Sequence, residues 1–369
     1  MPKADLPARL SGVRSSSPVK GKAPLPGSHG VREWVVGWWA GEGGTLGSLL
    51  RMAAAPLELG FRMVSGVWGR MYDSGMLPLQ RAPVPVISVG NLTVGGSGKT
   101  PLAAWLLRGL RDRGENPALV ASGYGQDEIL LHRRWNPQIP VIAEEDRAYG
   151  AWKAARKGAT VVVLDDGFQH RRLARELDIV LVAASTPGKV RLLPRGPFRE
   201  PFASLGRAGV VILTQKGKDE SSLDVEGRID PFLRESPVKV AFVPSGWTDL
   251  SGGASDAPVG DFLAVTGIGE PDGFFRVLTE TVGAGGELLS YPDHHAYSWP
   301  DVRAILDRAR GRTIVTTEKD AVKLAAFQSQ LEDLRILCLK VEVLEGEERL
   351  WRHVEGVLKG RSRERGREA

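Results

Sequence analysis

The chain has 369 residues, of which 42% are apolar and 25% charged, and its 49 Lys/Arg against 44 Asp/Glu give a formal net charge of +5. That balance excludes a disordered or collagen-like chain, and the length predicts two domains, or one domain with an extension. A single cysteine, Cys338, excludes an internal disulfide and a CxxC zinc pair; within the run LRILCLKVEV it reads as a buried strand residue.

The charge is uneven. Residues 1–84 hold ten basic and five acidic side chains, so this stretch carries the whole net charge. Trp34, Trp38, Trp39 and Trp68 lie in it too. Basic residues interleaved with tryptophan read as a surface that meets anionic lipid headgroups. Residues 1–30 are rich in Pro, Ser, Gly and Lys and are predicted to lack fixed structure. Residues 31–80 are apolar but interrupted by glycines and by Arg51, Glu58, Arg62 and Arg70. No uncharged window of about 18 residues appears, so a membrane-spanning helix is not predicted. The apolar region also begins too late for a signal peptide. The expectation is one or two interfacial amphipathic helices, the alternative being a helical extension packed on the protein's own core. A nucleic-acid role is disfavoured, because the basic excess is modest and no binding motif accompanies it.

From residue 84 the pattern becomes strand–helix alternation. PVPVISVG, NPALVAS, ATVVVLDD, LDIVLVA, GVVILT and VKVAFVP read as strands, and TPLAAWLLRGLRDRG as a helix. Continuous apolar runs suit parallel strands covered on both faces, so the predicted fold is α/β with a doubly wound, mostly parallel sheet. The stretch 245–260 is rich in Gly, Ser and Asp and reads as a linker. Beyond it, FLAVTGIG and RTIVTTEKDAV read as strands of a smaller C-terminal α/β unit. A helix there opens on Ser298 with Asp301 as a capping box. The expected organisation is a leader and membrane-associating helical region over 1–83, a P-loop kinase domain over 84–258, the smaller unit over 259–355 and a charged, frayed tail over 356–369.

The strongest chemical signal runs from Val89 to Thr100. A strand enters, a Gly-rich loop of Thr93, Val94, Gly95, Gly96, Ser97 and Gly98 follows, and a helix leaves through Lys99 and Thr100. Such a loop turns backbone N–H groups and a helix N-terminus toward a polyphosphate. Lys99 is placed to reach the β/γ-phosphates and Thr100 to bind Mg²⁺. A strict P-loop pattern has Gly where this chain has Thr93; Gly95 and Gly96 supply the flexibility instead. The second signal is VVVLDDGFQH, an apolar strand that ends in Asp165 and Asp166, the placement of a Mg²⁺-binding carboxylate beside a P-loop.

The stretches VGNLTVGGSGKTP, LDDGFQHRRL, LLPRGPFREP, PDHHAYS and TTEKDAVKL, in this order over roughly residues 50–350, resemble the signatures of the tetraacyldisaccharide 4′-kinases, the lipid A 4′-kinases of Gram-negative bacteria. The resemblance implies a P-loop kinase with an N-terminal membrane-associating helical segment, at the cytoplasmic face of the inner membrane and attached peripherally or monotopically. It implies ATP and Mg²⁺ as cofactors and a lipid A disaccharide-1-phosphate precursor as the partner, phosphorylated at its 4′-hydroxyl, with the enzyme a monomer. It assigns the general base to Asp127, with Glu128 as acidic neighbour. It assigns the catalytic histidine to His294, beside Asp293. Gln169, His170 and Arg171 are expected to order the loop after Asp166. Arg195, Arg199 and Glu200 are expected to meet an anionic substrate, and Lys319 and Asp320 to support the C-terminal unit or the nucleotide. Loop salt bridges are the competing reading for all of these. His29, His132 and His353 belong to no motif and are expected at the solvated surface. The alternatives to a lipid kinase are a P-loop GTPase or metallochaperone, whose guanine-reading loop would fall at 215–218, and a soluble small-molecule kinase.

Overall fold

Runs such as VISVGN and VVVLD bury every side chain, as parallel strands do when helices cover both faces of the sheet. The computed structural model describes residues 28–123, 125–217 and 221–368, so most of the expected unstructured leader lies outside the described residues. Three helices come first, α1 (Ser28–Ala40), α2 (Gly44–Ala53) and α3 (Ala55–Asp73). Alternation follows with β1 (Val86–Asn91), α4 (Lys99–Asp112), β2 (Pro117–Ala121), α5 (Gln126–Trp135), β3 (Val141–Ala143), α6 (Arg147–Arg156), β4 (Val161–Asp165), β5 (Leu177–Ala183), β6 (Val210–Lys216), α7 (Leu223–Ile229) and β7 (Val238–Thr248). The chain continues through β8 (Ala254–Ser255), β9 (Phe262–Thr266), α8 (Pro271–Val282), β10 (Gly286–Ser290), α9 (Trp299–Ala309), β11 (Thr313–Thr317), α10 (Glu318–Leu324), β12 (Leu334–Glu345) and α11 (Glu347–Glu368).

The strands form one sheet in the order β10-β9-β11-β12-β7-β6-β5-β1-β4-β2-β3, with β8 hanging on β7. Apart from the short antiparallel β7–β8 pair, pairings within each half are parallel, while β12 meets β7 antiparallel from Ile336↔Thr248 to Glu345↔Lys239. The sheet is therefore continuous across residue 258. The expected linker at 245–260 differs as well: residues 245–248 finish β7, and 254–255 return as β8 to pair Trp247 and Thr248. Its Gly and Asp residues make a hairpin turn, in which the Asp249 carboxylate accepts the Gly253 N–H.

The tail expected to fray continues α11 as far as Glu368. The start of this helix returns to the N-terminal half. Trp351 packs among Leu106, Leu107 and Leu110 of α4, its ring 5.3 Å from that of Trp105, with the Arg113 guanidinium 3.4 Å above it. Cys338 lies half-buried in β12. Among the described residues no helix is long and apolar enough to cross a membrane. α2 and α3 instead leave a row of apolar side chains in solvent, including Leu46, Leu49, Met52, Leu57, Val64 and Trp68, with Leu57 65% and Val64 70% exposed.

Truncating Trp351 to Ala should lower stability by about 3 kcal/mol in urea unfolding, the usual cost of emptying an aromatic site in a core. The loss should appear in exchange protection of α4, which is more than two hundred positions away in sequence but directly beneath the ring.

Candidate active site

β1 and β4 are parallel neighbours with Val89 paired to Asp165, so the loop leaving β1 and the carboxylates ending β4 lie side by side. The loop turns through positive φ at Gly95 and at Gly98, the residue before α4. A side chain at Gly98 would run into the Phe242 ring, so glycine is required there for space as well as for conformation. No side chain caps α4, which leaves its first N–H groups free to meet an anion. Thr93 and Val94 are fastened to the 191–200 loop by a bridge to Phe198 and by the Val94 N–H, which donates to Pro197 O at 2.8 Å. Ser97 is buried, and its carbonyl accepts from Thr214 Oγ1 at 3.1 Å.

The two carboxylates at the end of β4 are in different environments. Asp165 is 4% exposed. Its Oδ2 is 3.2 Å from His132 Nε2, and its Oδ1 is buried without a hydrogen-bond partner. Asp166 takes a left-handed φ of 54°. Its carboxylate accepts two hydrogen bonds from Arg199, at 3.0 and 2.9 Å, and lies 3.7 Å from Lys99 Nζ. Burial would push the Asp166 carboxyl up, but the charges of Lys99 and Arg199 outweigh it and hold the group below its ordinary value. An orphaned carboxylate oxygen on Asp165, with the Thr100 hydroxyl in the first turn of α4, is an oxygen donor set that fits Mg²⁺. Among the described residues no group of three or more His, Cys, Asp or Glu converges on a metal. The protein would thus supply few ligands, and phosphate oxygens the others.

A second cluster joins the two halves of the sheet. Asp127, in the first turn of α5, is 8% exposed. His294, on the loop between β10 and α9, has a φ of 62° and donates its N–H to Gly267 O at 3.3 Å. The structure brings Asp127 Oδ2 to 2.8 Å from His294 Nδ1. Burial pushes the Asp127 carboxyl up, but the His294 hydrogen bond and the charges of Lys319, His294 and Lys323 prevail and hold it down at about 2. Glu128 is pushed above its ordinary value by burial and by the charge of Asp165. Asp320 is buried under the cluster, accepting from Thr266 Oγ1, the Gly267 N–H and Thr317 Oγ1 at 2.8–2.9 Å, and from the Tyr297 hydroxyl at 3.2 Å.

The remaining expected site residues hold the protein together. Gln169 donates to Asn91 O at 2.9 Å and to Glu200 at 3.2 Å. Arg171 reaches away from the loop to Gly69 O and Asp73 at the end of α3. His170 is held below its ordinary value by burial and by the charges of Arg147 and Arg175. In the 191–200 loop the structure shows the salt bridges of the competing reading: Arg199 serves Asp166, Arg195 pairs with Glu58 at 3.1 Å, and Glu200 pairs with Arg207 at 2.9 Å. His132 is a clear correction. It is 0% exposed and faces Asp165, because α5 turns its inner side to the end of β4. Arg147 was also missed. Its buried guanidinium feels the charges of both Asp165 and Asp166 and donates to Glu144 O at 2.7 Å. No motif marks either residue.

The sequence model of one family, described as tetraacyldisaccharide-1-P 4′-kinase (LpxK), matches residues 50–129 and 125–359. A tetraacyldisaccharide 4′-kinase of Anaeromyxobacter sp. (strain K) is 38% identical over 350 residues, covering 84% of this chain and 91% of that one. Another, from Syntrophus aciditrophicus (strain SB), is 39% identical over 300 residues, covering 70% and 80%. Among solved structures, an "apo" form LpxK from Aquifex aeolicus in complex with ATP is similar with a TM-score of 0.69 at 29% identity, over 84% of this chain and 99% of that one.

The folded value of the Asp127 carboxyl lies below the 3.8 of a free one, so its stabilisation is present above pH 3.8 and is lost as the pH falls through about 2. The carboxyl carbon resonance of Asp127 should therefore titrate near 2, and His294→Ala should move that midpoint upward.

Proposed function

The chain belongs to the tetraacyldisaccharide-1-P 4′-kinase family and phosphorylates the 4′-hydroxyl of a tetraacyldisaccharide 1-phosphate with ATP; on that footing we propose that Asp127 is the general base, oriented by His294, and that the reaction runs on the surface of a membrane. The observation that carries the catalytic reading is the 2.8 Å contact between Asp127 and His294, across the junction of the two halves.

The 4′-hydroxyl passes its proton to the Asp127 carboxylate. The hydroxyl oxygen forms its bond to the γ-phosphorus, and the bond from that phosphorus to the β–γ bridging oxygen breaks, its electron pair leaving with ADP. A carboxylate held near 2 is a weak base, which suits a loose transition state in which the proton leaves late. Catalysis then depends on position and charge. The free N–H groups at the start of α4 and Lys99 hold the polyphosphate. Mg²⁺, held by Thr100 and Asp165, would neutralise charge on the phosphate oxygens. Asp166 keeps Lys99 and Arg199 in place through its ion pairs.

The membrane reading is supported by the exposed apolar row of α2 and α3, which lies beside the Arg-rich 191–200 loop and is too short to span a bilayer. The acyl chains of the substrate would stay in the lipid while the sugar reaches the site. The guanine-reading alternative is not favoured: Gln215 is buried in β6, and Lys216 is paired with Glu270.

With tetraacyldisaccharide 1-phosphate as acceptor and the product phosphate located by NMR, Asp127→Asn and His294→Ala should each lower kcat by about 10² to 10⁴, the range for removing a base or its partner. The double variant should lose little more than the worse single one. Undiminished turnover in Asp127→Asn would remove the base assignment. Leu57→Asp with Val64→Asp should abolish flotation with anionic vesicles and leave ATP binding unchanged.

A further inference from the structure

We propose that Lys319 is a positioning residue of the phosphoryl transfer: it fixes His294 in the tautomer that carries its hydrogen on Nδ1, facing Asp127. The inference rests on the reading of Asp127 as the base. Lys319 Nζ is 3.2 Å from His294 Nε2, 2.9 Å from Asp293 Oδ1 and 3.8 Å from Asp127 Oδ2. It thus touches both members of the catalytic pair and the carboxylate next to them.

The assignment follows from which atoms can donate. An ammonium has three hydrogens and no lone pair, so a ring nitrogen at 3.2 Å from it must accept. His294 Nε2 therefore carries a lone pair. Nδ1 faces an ionised carboxylate, which can only accept, so Nδ1 carries the hydrogen. The neutral ring donates to Asp127 Oδ2 and leaves Oδ1 to receive the proton of the substrate hydroxyl.

An acceptor for a proton on Nε2 is close at hand. Asp293 Oδ1 is 3.8 Å from Nε2, beyond hydrogen-bond reach, with the lysine ammonium closer to both. Without Lys319, the group left beside Nε2 is the Asp293 carboxylate, which favours a proton on that nitrogen. Of the other charged groups at the cluster, Lys323 lowers Asp127 by its charge, and Glu128 is itself raised by the charges of Asp165 and Asp127.

The backbone keeps these atoms in register. Lys319 lies in the first turn of α10, which Thr317 caps by accepting the Asp320 N–H at 3.0 Å. Asp320 in turn accepts the N–H of Gly267, whose carbonyl holds the N–H of His294. One buried carboxylate thus fastens the supports of both Lys319 and His294. On the other side, Glu318 accepts from Trp135 Nε1 at 2.6 Å and pins the far end of α5, which carries Asp127 in its first turn.

The test is imidazole ¹⁵N NMR of the full chain with labelled histidine, the His294 signals assigned by their loss in His294→Ala. The parent should show a protonated Nδ1 and an unprotonated Nε2 at neutral pH. Lys319→Met should put a proton on Nε2 and lower kcat about ten- to a hundredfold, the usual cost of losing the partner that orients a functional imidazole, with KM for ATP within about twofold. Lys319→Arg, which keeps a donor, should recover both the tautomer and most of kcat. Adding Asp293→Asn to Lys319→Met should clear the proton from Nε2, while Asp293→Asn alone should leave the parent tautomer. An unprotonated Nε2 in Lys319→Met, or a loss confined to KM, would overturn the proposal. The NMR signature is read without turnover, so it stands or fails separately from the kinetics of Asp127→Asn.

Discussion

The antiparallel ladder between β7 and β12 is the constraint on which the site depends. Each half of the sheet is a parallel α/β unit that could close on its own helices. The ladder makes them one surface, and the loops at its edge then converge from both sides. Asp127 comes from the half that holds the P-loop, and His294 and Lys319 come from the other. Their 2.8 Å contact is a property of the joined sheet, since neither half contains both. One further tie crosses the junction near it, Trp135 to Glu318, and Arg134 donates to Asp249 O at 3.0 Å in the turn that leaves β7. A site built this way has a preset separation between Asp127 and the phosphate-binding loop, because ladder hydrogen bonds and packed helices are stiff.

What could be read from sequence was what has a local signature. The P-loop is a run of glycines between a strand and a helix, and the carboxylates of β4 end an apolar run, so both were legible without a fold. Asp127 and His294 needed the resemblance, because they are 167 positions apart and no spacing links them. His132 was misread for the same reason. A histidine outside any motif looks solvated until α5 is seen to turn it onto Asp165, 33 residues away. Composition misled at 245–260, where Gly and Asp mark a hairpin turn as readily as a linker.

The arginines after residue 190 show the limit most sharply. A Pro/Gly loop bearing Arg195 and Arg199 suggests a cradle for an anionic substrate. In the fold both guanidinium groups already have carboxylate partners, and each pairing is bidentate or reinforced by backbone. Arg199 grips Asp166 through two contacts, and Glu58 receives both Arg195 and the Leu192 N–H at 2.8 Å. These partners come from elements far apart in the chain, and charge alone does not name them.

That loop has a geometric consequence. Glu58 and Trp39, whose indole donates to Pro194 O at 2.8 Å, attach it to the N-terminal helices, while Val94 and Asp166 attach it to the phosphate end of the site. It is a strut of fixed length between the apolar row and the P-loop. On the proposed reading that this row rests on a bilayer, the height of the transferred phosphate above the lipid is set by the protein and not by the acyl chains beneath. Variation in chain length would change how deeply a substrate is anchored, but not how far its sugar must rise.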